Sequence, residues 1–248
     1  MDLEDKARLV AEALAKSDYT IVLTGAGVSA DSGVPTFRGR DGLWRRYRPE
    51  ELATPEAFAR DPVTVWEWYK WRMEIIHRAK PNDAHYTIAW LEEKGLVKAV
   101  ITQNVDGLHQ RAGSRNVIEL HGNIWRVLCT SCSYTGTLDK PPESVPPRCP
   151  RCGGLLRPGV VWFGEPLPAD AVRRAMEEAL RARLILVVGT SGVVEPAGSI
   201  PLIVAENGGR IVNVNPEPNR YTGLAWINVE ARAAPFFSVL RRMVEELL

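Results

Sequence analysis

The sequence contains no run of 18 uninterrupted apolar residues, so no segment reads as a membrane span. Its opening stretch, Met1 to Lys16, is amphipathic and charged, without the apolar centre of a secretory leader. A strong charge of either sign is also missing, with 31 Lys and Arg against 30 Asp and Glu. That balance removes any global attraction to anionic polymers, so neither a membrane partner nor strong direct nucleic-acid binding is expected. Gln occurs only twice and Arg far outnumbers Lys, a weak compositional pointer to a hot source. Cysteine is confined to four positions between Cys129 and Cys152, which favours a metal over disulfides and a cytoplasmic location.

What is present is ordinary for a soluble protein: 248 residues, 45% hydrophobic and 25% charged. The length suits one large domain, or one carrying a small insertion. Short apolar runs at 19–24, 98–103, 117–120, 184–189, 210–215 and 226–229 read as buried strands. Helical periodicity falls at 3–16, 83–94, 169–182, 199–206 and 235–248. Apolar strands alternating with helices predict an α/β fold with a Rossmann-like, doubly wound parallel sheet. Two stretches break the rhythm. Residues 38–81 hold a polar loop and a Trp-rich helix begun by Asp61 as N-cap and Pro62, and residues 123–157 are rich in Cys, Pro, Ser and Gly. The expected division is therefore 1–37, 82–122 and 158–248 for the large domain. Residues 38–81 and 123–157 form a helical module and a zinc-ribbon module of a smaller one.

Gly25-Ala26-Gly27-Val-Ser29-Ala30 fits the G-x-G-x-x-G/A pattern directly after a strand. Gly25 would permit the turn, Gly27 would let a pyrophosphate approach backbone N–H groups, and a following helix would present its positive end. An ordinary tight turn serves the same letters equally well. The acidic residue that a dehydrogenase carries about 20 positions later is absent, the region reading Leu43-Trp44-Arg-Arg-Tyr47. Gly189-Thr190-Ser191 and Asn215, each just past a strand, are alternative binders of ribose hydroxyls.

Cys129-x2-Cys132 and Cys149-x2-Cys152 have the spacing of a four-thiolate zinc site, closed and therefore structural. Gln103-Asn104-Val-Asp106 and His121-Gly122 each follow a strand, which gathers polar groups and one imidazole at the sheet's carboxyl edge. His121 suits a general base, although a lone histidine is more often structural. His77, His85 and His109 follow no strand and read as weaker candidates.

Together with Ser32-Gly-Val-Pro35-Thr36-Phe37-Arg38 and Val160-Val161-Trp162-Phe163-Gly164-Glu165, these motifs resemble the sirtuin family over nearly the whole chain. The resemblance implies NAD as co-substrate, one structural Zn2+, and an acyl-lysine peptide bound in a cleft between two domains. It implies that the acyl oxygen attacks the nicotinamide ribose, that His121 activates a ribose hydroxyl, and that nicotinamide, O-acyl-ADP-ribose and free lysine result. Asn104 and Asp106 join His121 as catalytic candidates. Gly25, Ala26, Gly27, Ser29, Ala30, Pro35, Thr36, Phe37, Arg38, Trp44 and Gln103 match the cofactor site, with Gly189, Thr190, Ser191, Asn215, Pro216, Glu217 and Ala233 toward the adenosine. Val161, Trp162, Phe163 and Gly164 would hold the peptide by extended backbone pairing.

Val65, Trp68, Tyr69, Ile75 and Ile76 form an apolar stripe in which Arg72 falls. Spacing alone favours an arginine reaching past apolar neighbours to water. Tyr69-x-x-Arg72, however, resembles the pair in class III sirtuins, which implies recognition of malonyl- and succinyl-lysine beside acetyl-lysine. The rival readings are mono-ADP-ribosyl transfer to protein, a zinc-ribbon NAD sensor without turnover, and a dehydrogenase.

Overall fold

The structure, a computed structural model, describes all 248 residues. In chain order, α1 (Leu3–Lys16) leads into β1 (Thr20–Thr24), and α2 (Pro49–Leu52) and α3 (Pro55–Arg60) precede the long α4 (Pro62–Arg78). Then come α5 (Asp83–Glu93), β2 (Ala99–Thr102), the one-turn α6 (Leu108–Arg111) and β3 (Val117–Glu119). Strands β4 (Gly122–Cys129), β5 (Thr135–Thr137) and β6 (Leu156–Val160) follow. The chain ends with α7 (Ala169–Arg181), β7 (Leu184–Val188), α8 (Ile200–Glu206), β8 (Arg210–Val214), β9 (Ile227–Val229) and α9 (Ala233–Glu245). No helix is long and apolar enough to cross a membrane.

Six strands form one sheet in the order β3-β2-β1-β7-β8-β9, every neighbour parallel. This is the doubly wound Rossmann order, and it reverses between β1 and β7, where ligands collect in such folds. Strands β1 and β7 are buried at all five positions, so their apolar runs need cover on both faces. Alternate residues supply it. Val22, Val100, Leu186 and Val212 pack with residues of α1, α5 and α9, while Ile21, Ile101, Ile185 and Ile211 pack with α7 and α8. Each such side chain taken from water contributes roughly 1.5–3 kcal/mol.

A second, antiparallel sheet has the order β5-β4-β6. It shares an apolar cluster with α4: Trp66, Tyr69 and Met73 meet Ile124, Val127, Leu156 and Trp162. The Trp66 indole donates to the Leu156 carbonyl at 2.8 Å, tying helix to sheet. The start of α4 is as the sequence indicates, Asp61 accepting from the Thr64 N–H with Pro62 in the first turn.

The helix after the glycine turn is of the tighter kind: a seven-residue 3-10 helix, Ala26–Ser32, which Gly33 ends at φ 83°. The segment contains Gly27, Ser29, Asp31 and Ser32, residues whose short polar groups or missing side chain weaken an α-helix.

Candidate active site

The switch point between β1 and β7 brings two glycine loops into contact. Gly25 N–H donates to the Val188 carbonyl at 3.0 Å, and Gly27 N–H to the Gly189 carbonyl at 2.8 Å. A Cβ on Gly27 would lie 2.6 Å from the Gly189 Cα. Gly27 is therefore small because another backbone loop needs the space. Its own N–H is occupied by the Gly189 carbonyl, which leaves the other N–H groups of the turn to meet a pyrophosphate.

Around this contact the polar residues bond one another. Ser29, buried, donates to Asp106 Oδ2 at 2.7 Å, and Asp106 Oδ1 accepts from the Leu108 N–H at 2.9 Å. Burial pushes the Asp106 carboxyl above its usual range, the Leu108 and Ser29 bonds opposing. The Asn104 amide donates to the Gly25 carbonyl at 2.9 Å. The Gln103 amide donates to Thr190 Oγ1 at 3.0 Å, linking the second strand end to the loop after β7. Asn215 donates to the Glu217 carbonyl at 2.6 Å. Ala233 begins α9 with its side chain in the core, so only its backbone can face a ligand.

Two of the histidines that read as weaker candidates lie here. His85 Nδ1 accepts from the Asn82 N–H at 3.0 Å, which places the proton on Nε2, 3.2 Å from Ser29 Oγ. His109 Nε2 lies 2.8 Å from Thr24 Oγ1, which in turn bonds Thr102 Oγ1. Burial holds His85 down to about 4 and His109 to about 3, each also repelled by a neighbour, Arg111 and His85 respectively. Both are neutral at pH 7. Asn82-x-x-His85 was the available clue, since an Asn N-cap answered from the third helical position is a capping pattern.

His121 sits between β3 and β4, where the chain passes from one sheet to the other. Its Nδ1 is 3.0 Å from the Gln103 carbonyl, which can only accept, so the proton is on Nδ1 and Nε2 keeps its lone pair. Burial lowers its pKa, with the Gln103 bond opposing. A neutral imidazole with a free Nε2 is equipped to take a proton.

A cavity of about 510 Å³ is lined by Phe37, Arg38, Gly39, Arg40, Trp44, Arg45 and Glu217. It joins the polar loop after Gly33 to the loop after β8 and carries three guanidinium groups against one carboxylate. The loop is closed by Leu43 N–H to the Thr36 carbonyl and Trp44 N–H to the Phe37 carbonyl. Pro35 lies in the segment leading into it.

Beyond Phe37 lies α4. Arg72 is only 9% exposed, so it is largely walled in rather than extended into water as spacing alone suggested. Its guanidinium carbon stands 4.8 Å from the Phe37 and Trp68 ring centres and 5.5 Å from that of Tyr69. No carboxylate or carbonyl of the chain bonds it, and burial lowers its pKa against the pull of Tyr69 and Asp106. The Tyr69 hydroxyl accepts from the Trp162 indole at 2.9 Å, and burial raises its pKa. The Trp68 indole N–H is buried without an acceptor. Ile75, at the edge of the stripe, is only half-buried.

The segment expected to pair with a peptide is already partly engaged. Val161 N–H donates to the His121 carbonyl, Trp162 N–H to Glu165 and Phe163 N–H to the Ala53 carbonyl. Gly164 N–H and the Val161 and Phe163 carbonyls have no partner in the chain. Pairing along this segment would use those three groups.

The four cysteine sulfurs lie within 4.8 Å of one another, Cys129 to Cys152 at 3.5 Å and Cys132 to Cys149 at 3.7 Å. Four thiolates bound tetrahedrally at the usual Zn–S length stand roughly 3.8 Å apart. Backbone N–H groups of Ser131, Arg151 and Gly154 donate to Cys129, Cys149 and Cys152. The residues fit a structural zinc with every position filled by protein.

A Rossmann sheet with a glycine-lined switch point, joined to a zinc-stapled small sheet, defines a dinucleotide-binding protein of two-part architecture. Residues 25–196 match the model of the Sir2 family. The chain is 61% identical over 238 residues to NAD-dependent protein deacylase 2 of Pyrobaculum aerophilum, covering 96% of this chain and 94% of that one. It is 56% identical to the NAD-dependent protein deacylase of Aeropyrum pernix, with 94% and 95% covered. A Sir2 homologue solved with NAD superposes with a TM-score of 0.92 at 54% identity, covering 96% of this chain and 94% of that chain. A Sir2 solved with a deacetylated p53 peptide and 3′-O-acetyl ADP ribose gives 0.88 at 39% identity, with 97% of each covered. The chain belongs to the Sir2 family.

Proposed function

We propose that this chain, an NAD-dependent protein-lysine deacylase like the relatives it matches, removes succinyl and malonyl groups as well as acetyl groups. Arg72 carries the reading: a guanidinium boxed by Phe37, Trp68 and Tyr69, with no acceptor of its own in the protein. A planar fork of donors in such a box can bond both oxygens of an acyl carboxylate. The aromatic walls also suit an acetyl methyl, which supports dual activity.

NAD supplies an electrophilic ribose carbon with nicotinamide as leaving group; the chain positions it and moves protons. Residues Gly25–Ala30, Phe37, Arg38, Trp44, Thr190, Ser191 and Asn215–Glu217 hold the dinucleotide. Asn104 and Asp106, fixed by Gly25 and Ser29, orient the nicotinamide half. His121 Nε2 takes the proton of a ribose hydroxyl, its tautomer set by Gln103. Residues Val161–Gly164 carry the peptide. The segments 38–81 and 123–157 act as a small domain closing the cleft, and the enzyme works in the cytoplasm.

The test is mass spectrometry of acetyl, succinyl and malonyl peptides of one sequence, with and without NAD, on wild type and Arg72→Met. Expected are O-acyl-ADP-ribose from all three and a fall of about a hundredfold in the succinyl-to-acetyl kcat/KM ratio for the variant. An unchanged ratio removes the clamp, and labelled protein in place of O-acyl-ADP-ribose would mean ADP-ribosyl transfer.

A further inference from the structure

The Tyr69 hydroxyl is oriented from behind. An indole N–H can only donate, so the 2.9 Å bond from Trp162 Nε1 makes Tyr69 Oη an acceptor on that side. The phenolic proton must then point elsewhere, and no group of the chain accepts it. Arg72 lies on that same helix face, three residues on.

Trp162 is itself held by two residues with no part in the dinucleotide site. The Arg157 guanidinium lies 3.8 Å over the Trp162 ring. It is locked there by two parallel bonds to Glu165, Nη1 to Oε2 and Nη2 to Oε1, both 2.8 Å, and by a third to the Val160 carbonyl at 2.9 Å. Glu165 Oε1 also accepts from the Trp162 N–H at 2.8 Å. The fork is only partly exposed, with side-chain accessibilities of 18% for Arg157 and 24% for Glu165. A bidentate pair of this kind fixes direction as well as distance, and a stacked guanidinium resists rotation of the ring beneath it. The Phe58 ring also packs against the indole, tilted, with ring centres 5.2 Å apart.

We infer that Arg157 and Glu165 are positioning residues for acyl selectivity: they hold the Trp162 indole N–H against Tyr69 so that its hydroxyl proton can be given only to a ligand acceptor beside Arg72. The inference rests on the acyl-carboxylate reading of Tyr69 and Arg72. An acetyl group ends in a methyl and offers nothing to that proton. A succinyl or malonyl group ends in a carboxylate that can take it, and the benefit depends on the hydroxyl being aimed beforehand.

The experiment measures kcat and KM for succinyl and acetyl peptides of one sequence with Arg157→Met and Glu165→Gln, each alone and combined with Tyr69→Phe. Glu165→Gln keeps the volume and loses the charged fork, so it serves if Arg157→Met folds poorly; melting curves establish which variants are folded. The expected result is a fall of about tenfold in the succinyl-to-acetyl ratio, chiefly through the succinyl KM, as for loss of one hydrogen bond to a charged group. In the Tyr69→Phe background the same changes should leave the ratio unaltered. Equal losses on both peptides, or the same fall without the Tyr69 hydroxyl, would make the fork a structural brace and overturn the inference. If Arg72→Met shifts the ratio and Glu165→Gln does not, only the positioning role fails. If Arg72→Met has no effect, the clamp itself is wrong.

Discussion

The two ends of the cleft treat polar groups in opposite ways. At the end built on the parallel sheet, Ser29, Asp106, Asn104, His85 and Gln103 bond to one another, to Thr190 or to backbone, and the buried histidines stay neutral, His109 Nδ1 being the unpartnered atom there. At the end built on α4 and the small sheet, Arg72, the Tyr69 proton and the Trp68 indole are donors that nothing in the chain answers. A site whose partners are internal keeps its shape without ligand, whereas one whose donors lack acceptors is completed by what binds. Under the proposed function, the invariant reactant belongs at the first end and the variable one at the second.

The widest expected separation between the two ends comes from removing zinc. Its loss withdraws on the order of 10 kcal/mol from the small sheet. Chelation should therefore abolish hydrogen-exchange protection of β4–β6 while β1, β2, β7 and β8 keep theirs; loss of protection in both sheets at once would mean a single folding unit. Next in size, His121→Ala should lower turnover by about 10²–10⁴-fold while NAD binding, followed by calorimetry, persists. Full turnover in the folded variant would end its assignment as base.

The smallest effect is in pH dependence. His85 and His109 bind protons in the unfolded chain near pH 6.5 but resist them when folded down to about 4 and about 3. Folding stability is thus fully present above pH 6.5 and declines as pH falls through that window. Asp106, whose carboxyl burial raises, works in the opposite direction over part of the same range. The cleaner measurement is the difference between wild type and His109→Gln, whose urea midpoint should fall less steeply from pH 6.5 to 4. Parallel curves would mean that His109 is protonated in the folded protein.

Features confined to neighbouring residues were legible in the sequence. Continuous apolar runs announced strands buried on both faces, Asp61-Pro62 marked the start of α4, and paired cysteines marked the metal site. Features made by distant residues were not. Nothing near Gly27 indicates that Gly189 will occupy the space beside it, so its smallness looked like room for a ligand. By spacing alone Arg72 looked like a surface arginine, because one wall of its box, Phe37, comes from a loop outside the helix. His85 and His109 follow no strand, and the hydroxyls that partner them, on Ser29 and Thr24, lie far earlier in the chain. Tyr69 and Trp162 meet across 93 residues.

The contact between Gly27 and Gly189 also constrains how this protein can change over evolutionary time. An ordinary crowded position drifts when a facing side chain shrinks to make room. Here the obstructing atoms are main chain on both sides, so no second substitution can vacate the space. The two positions form a dead end for stepwise compensation, and a lineage that loses either glycine must rebuild the loop itself.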